Sequence, residues 1–162
     1  MIGLGQLAFV ARRLKAFVPS ELGGAMVELA VVLPVLILIA IGVMDYGRVY
    51  AASVAISNAA RAGAEYASQT PANSGDQTAV KQFTAQEGAE AGLVIANVVS
   101  NRVCRCSGSA TQINCVTGTC GGYGAVQQFE EVIATRAVPL LLRYPGLPAS
   151  ITISRTAVFR IN

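Results

Sequence analysis

The sequence predicts an α+β protein: a long N-terminal helix whose first half crosses a membrane, a second short helix, and a small antiparallel β-sheet with a cysteine-stapled hairpin. Three observations predict it. The apolar run AMVELAVVLPVLILIAIGVM, from Ala25 to Met44, carries Glu28 as its only charge. Small and apolar residues at helical spacing continue beyond that run to about Gln69. From Ile95 onward, stretches rich in Val, Ile and Thr alternate with Gly, Ser and Pro clusters, and all four cysteines fall in this region.

The apolar run comes first. A hydrocarbon core of about 30 Å needs roughly 20 apolar residues in a helix, which Ala25 to Met44 supplies. A core helix of a water-soluble domain keeps a polar face, and this segment has none. A removed secretory signal would have a shorter apolar stretch and a small-residue cleavage site, whereas DYGRVYAAS follows Met44 and the helical pattern runs on. Arg12, Arg13 and Lys15 against Glu21 precede the run, while Asp45 and Arg48 cancel just after it. The positive-inside rule therefore keeps the N-terminus in the cytoplasm and sends everything from Asp45 across.

The helix is expected to continue from Ala25 to about Gln69, because Pro34, Gly42, Gly47 and Gly63 are isolated breakers of a kind that membrane helices tolerate. On its projecting half, Val49, Ala52, Ile56, Ala59, Gly63 and Ala67 form one stripe, and Arg48, Asn58, Arg61 and Glu65 occupy other faces. Such a stripe lets another backbone approach closely, either the protein's own sheet or neighbouring helices in a bundle. Thr70 to Gly75 reads as a turn that stops this helix. Ser74 with Gln77 then fits a capping box opening a second helix through about Gly92.

Strands are expected over Ile95 to Cys106, Gln112 to Val116, Val126 to Val138 and Ile151 to Ile161. In the last, Ile151, Ile153, Ala157, Phe159 and Ile161 fall on one side and Thr152, Ser154, Thr156 and Arg160 on the other, as in a sheet with one dry face. A hairpin around Ser107-Gly108-Ser109 brings Cys104, Cys106, Cys115 and Cys120 together. Across the membrane these favour two disulfides, with three connectivities open. Zinc is disfavoured by the C-x-C spacing and by the absence of histidine from the chain. The segment PLLLRYPGLPAS, from Pro139 to Ser150, is too apolar for a solvated loop. It either folds back over the sheet, the favoured reading, or offers a patch to a partner or membrane surface.

Several function classes recede. The net charge of +3 lies mostly in the leader, and no basic stripe suggests nucleic acid. Catalysis is disfavoured because histidine is absent, the cysteines are engaged, and Glu87, Glu90, Glu130 and Glu131 read as solvated edges. No cofactor is implied. Glu28 stands apart. A carboxylate inside a bilayer costs on the order of 3 kcal/mol, so it is either functional or snorkels to nearby headgroups.

A basic leader, Gly23, the residues GAMV, Glu28 and then an apolar stretch together resemble the type IV prepilin signal. More narrowly, VELAVVLP, DYGR and NAARAGAEYA, in that order, resemble the segment shared by TadE-like and TadG-like proteins of the tight-adherence (Flp) pilus machinery. The paired-cysteine hairpin, the PLL…GLP loop and ITISRTAVFRIN also look like TadE-like minor pilins. The resemblance implies a type IV pilin-like architecture in three parts: a cytoplasmic leader over 1–23, a transmembrane helix continuing into the periplasm over 24–69, and a periplasmic α+β domain over 70–162. It implies a single-pass protein of the bacterial inner membrane that, as a pilus component, would also be extracellular.

It further implies cutting by a prepilin peptidase between Gly23 and Gly24, where small residues let an extended backbone enter the enzyme. Glu28 would then pair with its own or a neighbour's new amino group and set register between subunits. Pro34, which frees the carbonyl of Ala30, would be a weak point where the span kinks or melts on leaving the membrane. The implied partners are other pilin and minor pilin subunits, the inner-membrane assembly platform, the peptidase and the lipid bilayer. The chain has Gly24 and Leu29 where the type IV pattern usually has aromatics, so a retained leader acting as a cytoplasmic anchor is the alternative. The implied role is a minor pilin or pseudopilin in pilus assembly. A stationary scaffold linking the platform to the outer-membrane pore is the second reading.

Overall fold

The computed structural model describes residues 21–122, 124–142, 146 and 148–161. The leader over 1–20, and Tyr144 and Leu147 of the apolar loop, lie outside the described residues. One helix, α1 (Glu21–Gln69), runs for 49 residues through Pro34. A single turn, α2 (Pro71–Gly75), and α3 (Gln77–Glu87) follow. After a 3₁₀ turn at Ile95–Asn97 come four strands: β1 (Val98–Cys106), β2 (Gln112–Ile113), β3 (Val126–Pro139) and β4 (Ser150–Ile161). They form one antiparallel sheet in the order β2-β1-β3-β4. The chain divides into two units, Met1–Met44 and Asp45–Asn162, so the second half of α1 belongs with the sheet.

In the first unit the described part is the apolar half of α1. Its best window has a mean hydropathy of 2.8 and none of it is buried within the protein.

In the second unit the core lies between α1, α3 and the inner face of the sheet. The stripe read from sequence is the buried one: Ile56, Ala59, Gly63 and Ala67 are inaccessible, and Val49 and Ala52 pack at its margin. Arg48, Asn58, Arg61 and Glu65 are all exposed. The stripe is covered by the protein's own Val80, Leu93, Val98, Val132, Ala134, Val138, Ile153 and Ala157. Packing in cis is therefore the outcome. Its closest approach is at Gly63, where a Cβ would lie 1.9 Å from Oγ1 of buried Thr84. Only glycine lets α1 and α3 meet at that distance.

The turn after α1 differs from expectation. Thr70 caps α2, its hydroxyl accepting from the Asn73 amide at 3.1 Å with Pro71 in the first turn. Asp76, not Ser74, caps α3, accepting from the amides of Thr78 and Ala79 at 3.0 Å each. A carboxylate that satisfies two orphan donors and faces the positive helix end outcompetes a hydroxyl. Ser74 is instead buried, and its carbonyl and hydroxyl both accept from Arg102. α3 ends at Glu87 rather than Gly92; its buried residues are Val80 and Thr84, and Phe83 stacks on Tyr66 at 4.7 Å.

Two expectations about the sheet are corrected. β4 keeps the expected parity but buries only Ile153, Ala157 and Ile161, leaving Ile151 and Phe159 exposed. It is an edge strand, paired with β3 alone, so the elements that cover the centre of the sheet reach it incompletely. β2 is two residues long, with Cys115 and Cys120 in the irregular segment beyond it. There Asn114 accepts from the amides of Val116 and Thr117, turning the chain before a longer strand can form.

Candidate functional site

The residues singled out on α1 lie in its first turns. Gly23 and Gly24 are already helical, since the helix is present at Glu21, so the scissile pair is not held in an extended segment. Each glycine in a helix is about 1 kcal/mol less favourable than alanine, and this pair is therefore a point of easy unwinding. Glu28 lies four residues beyond Gly24, on the same face one turn along. Its carboxylate is exposed and makes no ion pair among the described residues. Pro34 is held within the helix, removing one backbone donor without interrupting it.

A second group lies where the apolar run ends. Asp45, the first residue after Met44, is buried, and its Oδ1 accepts from the Leu141 amide at 2.8 Å. Arg48, one turn on, approaches the same oxygen at 3.8 Å. This joins the loop after β3 to α1 across the sequence. Tyr46 and Tyr50, 73% and 62% exposed, stack with ring centroids 6.4 Å apart. In the described part of the apolar loop Leu140 is half-buried, whereas Leu141 and Leu142 are exposed at 53% and 38%. Sequence reasoning read Asp45 only as half of a cancelling charge pair. The available signal was its place as the first polar residue after the span.

A third group closes the opposite end of the sheet. Cys104 pairs with Cys115 and Cys106 with Cys120, at Cα separations of 5.2 and 5.6 Å. This selects one of the three connectivities. Cys104 and Cys106 lie on the inner face of β1, opposite Gln128 and Val126 at the start of β3.

Glu130 corrects another expectation. It is wholly buried at the centre of the inner face rather than at a solvated edge. Ser100 donates its hydroxyl to Oε1, and Oε2 has no protein partner among the described residues. Its neighbours in the sequence alternate about it, and β3, flanked on both sides, turns the even-numbered residues inward. Glu87 and Glu90 are exposed as expected, and Glu131 is half-buried. No group of three or more His, Cys, Asp or Glu residues is gathered to hold a metal among the described residues.

One apolar helix that continues into the backing of a four-stranded antiparallel sheet with a doubly bridged tip defines an α+β protein of pilin-like build, suited to membrane anchoring. Residues 23–65 match the family model described as TadE-like protein. The matched stretch lies wholly on α1 and contains Gly23, Gly24, Glu28, Pro34, Asp45 and the Gly63 contact. No curated protein and no solved structure matches the chain.

Proposed function

We propose that this protein is a minor pilin or pseudopilin that takes part in initiating, capping or stabilising a tight-adherence type adhesive pilus. The observation that carries the reading is the match to the TadE-like family model along one uninterrupted helix, with Glu28 as the sole charge of its apolar run. In this reading the protein crosses the inner membrane once, with its N-terminus cytoplasmic and its bridged domain periplasmic, and acts without catalysis. Its partners are pilin and minor pilin subunits, the assembly platform, and a prepilin peptidase that cuts between Gly23 and Gly24 after unwinding them.

The cut would place a new ammonium one helical turn from Glu28, so the pair forms within a subunit or between stacked subunits. An unpaired charge in that setting is costly, which is what gives the pairing its power to fix register. Pro34 would let the span yield when the subunit leaves the bilayer. Shearing surface fibres and probing both the fibre and the inner-membrane fraction tests the role. Presence in the fibre supports the proposal; retention wholly in the membrane supports the stationary scaffold. Independently, intact mass measurement of the cellular protein tests the cut, and a retained 1–23 segment refutes it. Glu28→Gln that neither slows maturation nor lowers incorporation refutes the pairing.

A further inference from the structure

Arg136 is a charged residue on the dry side of the sheet. It lies on the inner face of β3, is half-buried, and has core residues, Ala134 and Val138, at the inward positions on either side of it. Its guanidinium rests against the turn after α3, where a Cβ on Gly92 would stand 2.6 Å from Cζ and 2.8 Å from Nη2. Gly92, with φ of 71°, is in the left-handed region that glycine adopts freely, and it has no side chain to displace the guanidinium. Arg102 and Arg155 donate to protein oxygens, whereas Arg136 makes no hydrogen bond or ion pair with any described residue. Five donors on that face without an acceptor are costly, and an apolar side chain would serve the core better.

Arg136 lines a cavity of about 350 Å³ whose residues all belong to the Asp45–Asn162 unit. α1 brings Arg48, Ala52 and Ala55 to the same cavity, the turn after α3 brings Glu90 and Ala91, and β3 adds Val138. Arg48 is 3.8 Å from Asp45 Oδ1, too far for a hydrogen bond, and that oxygen already accepts from the Leu141 amide. Glu90 is exposed and pairs with neither arginine. Two guanidinium forks thus meet one small space without a bonded acceptor, and the rest of its wall is mostly alanine and valine.

We propose that this cavity binds a carboxylate carried on a short apolar stem. The planar oxygens of a carboxylate match a guanidinium fork through two parallel N–H···O bonds. The alanines and Val138 accommodate the stem. Phosphate suits the site less, because Glu90 and buried Asp45 oppose a second negative charge and no hydroxyl side chain is among the lining residues described. An acidic side chain of a partner chain and a free small carboxylic acid present the same chemistry. The site stands whether or not the protein enters a fibre.

The full chain, with isotopically labelled arginine, is held in a neutral maltoside detergent, and the Nε–Hε resonances of Arg48, Arg61 and Arg136 are assigned by their loss in the corresponding lysine variants. It is titrated separately with butanoate, butanamide, inorganic phosphate, and an acetylated, amidated alanine peptide carrying one glutamate. The expected result is a saturable shift of Arg48 and Arg136 with butanoate or the peptide and none with butanamide, the tighter carboxylate identifying the source. Arg61, exposed elsewhere on α1, should stay still. Arg136→Gln should weaken binding about ten-fold and Arg48→Gln about three-fold, because charged bonds are lost. Glu90→Gln should tighten it about two-fold. Arg48 is on the exposed side of α1, so its variant tests the site even where Arg136→Gln does not fold. The proposal is overturned if neither carboxylate moves Arg48 and Arg136, if Arg61 moves as much as they do, if phosphate binds more tightly than both, or if Arg48→Gln leaves the affinity unchanged.

Discussion

Gly63→Ala is the most informative single substitution, because two large effects of opposite sign meet there. In an exposed helix, replacing glycine by alanine stabilises by about 1 kcal/mol. Here the added Cβ would lie 1.9 Å from Thr84 Oγ1, 3.1 Å from its Cβ and 3.4 Å from its Cγ2. The first contact is about 1.5 Å short of the ~3.5 Å at which such atoms sit comfortably. Thr84 is wholly buried and its hydroxyl is engaged at 2.7 Å by the Val80 carbonyl, so rotation cannot clear it without losing that bond or driving the methyl into the gap. Overpacking of this kind costs about 1–3 kcal/mol, and the poor fit argues for the upper end.

Set against the propensity gain, the net loss is about 2 kcal/mol. In a domain of this size that lowers Tm by about 8 °C. Melting the full chain in detergent micelles, followed by the circular dichroism of the sheet, measures it. Thr84→Ala removes the two atoms in the way, so adding Gly63→Ala to that variant should cost little or raise Tm, giving a coupling of about 2–3 kcal/mol. If Gly63→Ala alone leaves Tm unchanged or higher, α1 and α3 do not approach as described. If it costs the same in both backgrounds, the loss has another origin.

Three further outcomes follow from the same structure. Ser100→Ala leaves both oxygens of buried Glu130 without a partner and should cost about 1–3 kcal/mol in urea unfolding, whereas adding Glu130→Met should recover most of it. Replacing Cys106 and Cys120 by serine opens a loop of sequence separation 14 and should cost about 3 kcal/mol, while the remaining 104–115 bridge still shifts a maleimide-polymer gel band only after reduction. Asp76→Ala removes the acceptor for two amides and should cost about 1 kcal/mol; Asp76→Asn should retain most of the stability, as Tm measurement will show.

The long helix and its buried stripe were legible because both signals are periodic and local: the spacing of Ile56, Ala59, Gly63 and Ala67 is the same whatever covers them. β3 and β4 were legible for the same reason. What escaped depended on partners far along the chain. Ile151 and Phe159 have the parity of core residues, but the edge position of β4 decides their exposure, and strand order is not written in the strand itself. Glu130 has a charged residue's bias toward the surface, which the centrality of β3 overrides. Asp45 gained its role from Leu141, a contact no window of sequence contains. The cap of α3 was read as Ser74, whereas the helix uses Asp76, whose carboxylate takes two amides at once.

The sheet's last strand in chain order supplies Ile153, Ala157 and Ile161 to a core whose helical half was made first. The alanine-rich rail along α1 is therefore covered in stages, by α3 first and by the sheet only as β1, β3 and β4 are made. A nascent chain in that interval displays a sticky ridge beside a greasy anchor. Quality control that recognises such ridges would have its longest opportunity here, and premature truncation before β4 would leave the core without Ile153 and Ala157.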